Sequence, residues 1–355
     1  RAASSRAHAR PTTPAPITTT SASTGLTAAA HPRQYTAPAR AVKTPDRNLW
    51  GSHLADDSSV RRPHPYVVLA AAVLAVSWAA PLIRLTTAPA LAIAAWRLVL
   101  SSLILLPLFL RGANLAAWRG LGPRDRWIAG VAGVALALHF ASWIASLRLT
   151  SVAASAVLVS LSPVFAWVLS HLFLGERPHR VQAAGIVLAV AGAAVIALGG
   201  ARAGGGAVLL GDLLALAGAA CGAAYLVIGR RLRARLGLVA YVTPVYGVAA
   251  VVLLAWAATR GEAFRHYAPA DWAVFAALAA GPMLLGHTGF NYALRYLPAY
   301  TVNVGFLAEP VGATLIAWVL PAIAEAPSAT DLGGGVVVLA GVALTMHGAR
   351  RTGAA

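Results

Sequence analysis

Residues 145–164, ASLRLTSVAASAVLVSLSPV, and residues 292–311, YALRYLPAYTVNVGFLAEPV, share one design at a spacing of 147. Ser146-Leu147-Arg148 and Ala293-Leu294-Arg295 each lead into an apolar run. Ser162-Pro163-Val164 and Glu309-Pro310-Val311 each break it. A proline inside a helix deletes one backbone hydrogen bond and leaves the carbonyl four residues earlier without its donor. Those carbonyls belong to Val159 and Phe306. Both prolines fall near the middle of segments long enough to cross a bilayer, where no water replaces the lost bond. The halves differ at one informative place: the second carries a carboxylate, Glu309, where the first has Ser162.

The rest of the chain agrees. Of 355 residues, 59% are hydrophobic and 11% charged, against about 25% charged in an average soluble domain. The apolar segments are too long and too uniform for barrel strands, so they must be helices. Ten are expected, at 66–83, 91–110, 127–147, 151–174, 182–199, 212–229, 238–258, 272–293, 299–320 and 332–348. The expected fold is an all-α membrane protein with ten transmembrane helices in two inverted five-helix repeats. Five is odd, so the second half runs through the membrane opposite to the first. Paired, Pro-interrupted spans in such a repeat point to a binding site at the midplane, between the halves.

The formal net charge is +17. A basic chain can bind nucleic acid, but these charges lie between apolar spans, where they set topology and meet lipid headgroups. Nucleic acid is therefore not an expected partner; the lipid bilayer is. With the N-terminus cytoplasmic, fifteen arginines from Arg61 to Arg351 fall in inside segments. Outside loops hold five: Arg84, Arg148, Arg202, Arg260 and Arg265. This bias places both termini in the cytoplasm, in the cell membrane. Residues 1–62, rich in Ala, Pro, Thr, Ser and Arg, read as a disordered cytoplasmic tail; a transit peptide or sequence upstream of the true start are the alternatives. The repeats then occupy 63–203 and 204–351.

The order of these motifs resembles the drug/metabolite transporter superfamily, in particular its EamA-like members. The resemblance rests on Ala145-Ser146-Leu147-Arg148, Ser162-Pro163-Val164 and Leu174-Gly175-Glu176 in the first half. In the second it rests on Ala293-Leu294-Arg295, Ala308-Glu309-Pro310-Val311 and a degraded Ala324-Glu325. Ser77-Trp78-Ala79 and Arg97 add to it, the former departing at the family's glycine. The resemblance implies export or exchange of small polar metabolites such as amino acids or nucleosides, or of drugs; a non-transporting receptor or scaffold is the alternative, and an intramembrane enzyme is not expected, since the spans hold no HExxH, paired-Asp motif or nucleophile elbow. It places the site between spans 1, 3, 4, 6, 8 and 9, with spans 5 and 10 peripheral.

Several residues qualify for the substrate or ion pathway. Glu309 is foremost, because an ionisable side chain at mid-span is costly and marks a pathway or proton relay by default; a structural carboxyl supporting the helix break is the alternative. Pro163, Pro310 and Ser162 flank the breaks, as site lining or as hinge. His139 and His287 stand at nearly equivalent places in the two halves, one residue out of register, as proton carriers or as helix-to-helix hydrogen bonds. Asn291, Asn303 and Tyr225 add neutral polar groups; Trp78, Trp96, Trp143 and Trp167 offer flat surfaces for stacking, with lipid or packing contact as the alternative. Arg97 is read as snorkelling to the interface, with an ion pair to a carboxylate or a substrate anion as the alternatives. Cys221 is the sole cysteine, so neither an intrachain disulfide nor a cysteine metal site is expected, and no cofactor motif is present. Gly204-Gly205-Gly206 lacks the Lys-Ser/Thr of a phosphate loop and reads as a linker. Glycines in spans 5, 6 and 10 fit bundle packing and a homodimer equally.

Overall fold

The computed structural model describes residues 63–351 apart from 150–151, 176–178, 201–205, 262–265, 325 and 327–328. The expected tail at 1–62, the Glu176 box, Gly204-Gly205 and Glu325 lie outside the described residues. Every regular element among the described residues is helical. Seven segments are long and apolar enough to cross a membrane: Pro65–Arg84, Ala90–Leu110, Pro123–Ser146, Leu209–Arg233, Leu238–Thr259, Pro269–Ala293 and Ala299–Val319. Shorter apolar helices, Ser162–Leu174, Arg180–Gly192 and Leu332–Gly348, occupy the other three expected positions. Large apolar side chains point outward, among them Leu172, Phe173, Leu209 and Val319. Lipid covers such a surface, and the chain is a multi-pass membrane protein.

Prolines dictate where the helices break. The first span is two helices, α1 (Pro65–Val76) and α2 (Ala79–Arg84). Pro81 has no N–H to offer the Ser77 carbonyl, and the turn opens at Ser77-Trp78. The Ser77 hydroxyl meanwhile donates to the Val73 carbonyl at 2.8 Å. This break was not expected from the paired motifs. The second span, α3 (Ala90–Leu110), leads to a short α4 (Gly112–Arg119) and then α5 (Pro123–Ser146). The fourth span breaks between α6 (Val152–Val159) and α7 (Ser162–Leu174), with Pro163 in the first turn of α7. There its missing N–H would be unpaired in any case. Gly175 ends α7 at φ 68°, a left-handed turn that suits glycine.

The second half repeats this logic. After α8 (Arg180–Gly200), α9 (Gly206–Arg233) and α10 (Leu238–Thr259) come α11 (Pro269–Leu278), a π-helical stretch (Ala279–His287) and α12 (Thr288–Ala293). Pro282 lies inside the π stretch. A π turn closes over five residues rather than four, so it absorbs one extra residue. The ninth span breaks between α13 (Ala299–Phe306) and α14 (Glu309–Val319), with Pro310 in the first turn of α14. The last helix is α15 (Ala329–Arg351).

Helices α8 and α15 pack on each other through glycine. A methyl group at Gly192 would come within 2.6 Å of the Val338 amide, and one at Gly341 within 2.7 Å of Ala189 Cα. Gly218 and Gly222 similarly let α9 approach His139 on α5. These glycines are thus engaged within one bundle.

Contacts among helix ends fall into two groups. Asp125 pairs with Arg235 at 3.6 Å, Arg230 donates to the Leu294 carbonyl at 2.9 Å, and Tyr292 donates to the Pro63 carbonyl at 2.8 Å. In the other group, Thr86 donates to Asp271 at 2.5 Å and Arg148 to the Ala88 carbonyl at 2.6 Å.

Candidate functional site

The broken helices converge on a cavity of about 540 Å³. Its lining comes from α1 and α2 (Val76, Ala79), α3 (Arg97), α5 (His139, Phe140, Trp143), and the α6–α7 break (Val159, Ser160, Ser162). Helix α9 adds Gly222, Tyr225 and Leu226, the π stretch His287, and the α13–α14 break Asn303, Phe306 and Glu309. Val159 and Phe306, four residues before the two prolines, are both at the wall.

Six expected residues therefore meet in one place: Glu309, Ser162, Asn303, His287, His139 and Tyr225. Pro163 and Pro310 are buried behind the wall. Asn291 is fully buried and forms a supporting layer. Its Nδ2 donates to the Tyr225 hydroxyl in a short hydrogen bond and to the His287 carbonyl at 2.7 Å. Trp78 is not at the cavity wall and is 44% exposed. The opened turn at Ser77-Trp78 turns its flanking residues, Val76 and Ala79, to the cavity instead.

The two histidines are neighbours, with ring centroids 6.1 Å apart. His139 Nδ1 lies 2.8 Å from the Gly218 carbonyl. His287 sits among Phe140, Phe306 and Tyr225, with centroids at 5.0, 5.8 and 6.2 Å, and its Nδ1 has no hydrogen-bond partner. This is an aromatic wall with polar edges. Asn303 donates Nδ2 to the Ala299 carbonyl at 2.9 Å, leaving its Oδ1 without a partner. Glu309 is the first residue of α14 and half-buried at the cavity.

Arg97 corrects the sequence reading most sharply. It does not snorkel: it is 1% exposed and lines the cavity. Seven residues into α3, it stands about 10 Å along the helix axis, enclosed where α3 packs on α5, α10 and the π stretch. Its guanidinium carbon lies 4.1 Å from the Phe140 ring centroid, and Nη2 faces Met283 Sδ at 3.9 Å. Nε and Nη1 have no hydrogen-bond partner. A desolvated cation over an aromatic face gains about 2 kcal/mol, less than the several kcal/mol that burying a charge costs. Phe140 and Ser160, also at the wall, were unread in the sequence. They are ordinary membrane-helix residues, and only the helix breaks bring them together.

A multi-pass helical membrane protein whose broken helices enclose a polar, aromatic-walled cavity is the class that this fold and site define. The chain belongs to the EamA-like transporter family, whose sequence profile matches twice, over residues 63–198 and 209–347. It is similar to a "Probable terminal-alkyne amino-acid exporter" of Streptantibioticus cattleyicolor, 31% identical over 192 residues. That match covers 54% of this chain and 62% of the relative, so the chain spans about three-fifths of the relative's length. A solved crystal structure has the same fold at a TM-score of 0.67, 23% identity, and coverage of 82% of this chain and 99% of the other.

Proposed function

We infer that this protein is a secondary transporter that exports a small polar metabolite across the cell membrane by alternating access. The observation that carries this reading is the cavity: prolines break both halves at its wall, and Ser162 and Glu309 line it from the two breaks. Unwound backbone at membrane depth is tolerated where it lines a cavity or is buried in protein. The relative's printed name favours amino acids among the polar metabolites.

The same reading holds that ten spans form two inverted halves, 63–203 and 204–351, with both termini cytoplasmic. The contacts between helix ends support it. Asp125, Arg235, Arg230, Arg295 and Pro63 belong to ends that this topology puts inside; Thr86, Ala88, Arg148 and Asp271 belong to ends it puts outside. Each recorded contact stays within its own group. The two repeats would rock about the cavity, with the breaks as hinges.

Proton coupling is assigned to Glu309, a carboxyl at mid-span in a cavity that two histidines also line. In proteoliposomes, wild-type export should accelerate under an imposed proton gradient. Glu309→Gln should lose that response while keeping exchange of substrate across the membrane. A variant with full rate and unchanged gradient dependence would remove Glu309 from the coupling step.

A further inference from the structure

We propose that each moving body of the transporter contains one helix of the other repeat: span 1 travels with spans 8 and 9, and span 6 travels with spans 3 and 4. This rests on the alternating-access reading above and assigns which helices stay together when the cavity opens.

Span 1 is fastened to span 8 at both ends and between them. At one end Tyr292 donates to the Pro63 carbonyl at 2.8 Å, and at the other Thr86 donates to Asp271 at 2.5 Å. Between these ties the helices approach through glycine. A methyl group at Gly286 would come within 2.5 Å of Val76 Cγ1, and one at Gly289 within 2.9 Å of Ala72 Cβ. Span 9 continues the same groove. Gly305 faces Leu69 and Val73, and a methyl at Gly312 would come within 2.7 Å of Ser77 Cβ. Helix α1 accordingly packs on the π stretch, α12, α13 and α14, all of them in the second half. Close packing of this kind is bistable rather than continuously deformable. Sliding α1 along span 8 would carry Ala72 and Val76 off the glycines that admit them. The break of span 1 at Ser77 and the break of span 9 at Glu309-Pro310 therefore move as one.

Span 6 is fastened to span 3 in the same manner. Beyond the end of α9, Arg235 pairs with Asp125 at 3.6 Å. Along α9, the Gly218 carbonyl lies 2.8 Å from His139 Nδ1, and a methyl at Gly222 would come within 2.8 Å of the same nitrogen. Helix α9 packs on α5, α6 and α7, all of them in the first half. Towards span 8 of its own repeat, α9 extends long side chains instead. Arg230 donates to the Leu294 and Arg295 carbonyls at 2.9 and 3.2 Å, and Arg233 to the Asn291 carbonyl at 3.0 Å. Such bonds can be released and remade without repacking helix against helix.

Cross-linking separates this assignment from rigid sequence repeats, because the two predict opposite results. In a Cys221→Ser background, cysteine pairs are joined in proteoliposomes by a short reducible cross-linker. Exchange of a radiolabelled mixture of amino acids and nucleosides is measured before and after reduction. Thr86→Cys with Asp271→Cys joins span 1 to span 8, and Asp125→Cys with Arg235→Cys joins span 3 to span 6. Each of these cross-linked pairs should exchange within about twofold of its reduced form, since no conformational step is blocked. Arg230→Cys with Arg295→Cys joins span 6 to span 8 and should slow exchange at least about tenfold until it is reduced, since the bodies can no longer part. Any one pair that exchanges when reduced decides alone. Loss of exchange on joining spans 1 and 8 or spans 3 and 6, or full exchange with spans 6 and 8 joined, would overturn the assignment and leave the transport reading standing. A wild-type protein that exchanges nothing in the mixture would overturn both.

Discussion

At the scale of single residues, Asn291 shows how a side chain outside the cavity controls its wall. It is fully buried, and its amide ties the Tyr225 hydroxyl on α9 to the His287 carbonyl on the π stretch. Asn291→Leu removes the amide that donates to the Tyr225 hydroxyl and to the His287 carbonyl. The expected effect is a loss of about 1–3 kcal/mol of stability, with a fall in transport rate, read by thermal unfolding in detergent and by vesicle assay. Trp78 provides the contrast. It caps a helix break but faces outward at 44% exposure, so Trp78→Phe should leave the apparent affinity for substrate unchanged. A Trp78→Phe variant with strongly altered apparent affinity for substrate would place that ring in the pathway after all.

At the scale of elements, close approach of backbones holds α8 against α15. The space around Gly192 ends at the Val338 amide and the Gly334 carbonyl, 2.6 and 2.8 Å from where a methyl would sit. These are backbone atoms and cannot rotate away. Gly192→Leu should therefore destabilise the protein by about 1–3 kcal/mol through overpacking, read as a lower midpoint of thermal unfolding. Gly130 in α5 meets nothing within 4 Å. Gly130→Ala should be neutral or slightly stabilising, since alanine is the better helix former. If the two variants unfold alike, tight packing at Gly192 is not what joins these helices.

The elements also show which breaks could be read in the sequence. Pro163 and Pro310 declared themselves because they fall in duplicated motifs. Pro81 acts by the same chemistry, yet its break at Ser77-Trp78 has no matching proline motif to call attention to it. The π stretch around Pro282 has no counterpart in α5, and only the observed backbone shows it.

At the scale of the whole molecule, the proposed topology predicts which loops face the cell exterior. In a Cys221→Ser background, single cysteines at Thr87 and Arg260 should react with a membrane-impermeant maleimide in intact cells. Cysteines at Ala117 and Ala234 should react only after the membrane is opened. All four positions are exposed, so accessibility to the reagent is decided by sidedness. Labelling of Ala117→Cys or Ala234→Cys from outside would invert the orientation. Labelling of Thr87→Cys and Arg260→Cys on different sides would break the ten-span alternation.

The sequence by itself determined the class of protein, the two broken helices and the mid-span carboxylate, because each follows from local chemistry. A proline lacks its N–H wherever it stands, an apolar run of some twenty residues has one stable solvent, and a charge in its middle stands out against that background. Tertiary structure alone decided which side chains face the cavity. These helices are apolar on nearly every side, so the polar-versus-apolar contrast that orients a helix in a soluble protein is absent. Arg97 was therefore legible as a charge but not as a wall of the site. Its burial depends on Phe140 and Met283, residues 43 and 186 positions away along the chain, and no local pattern records contacts at that distance.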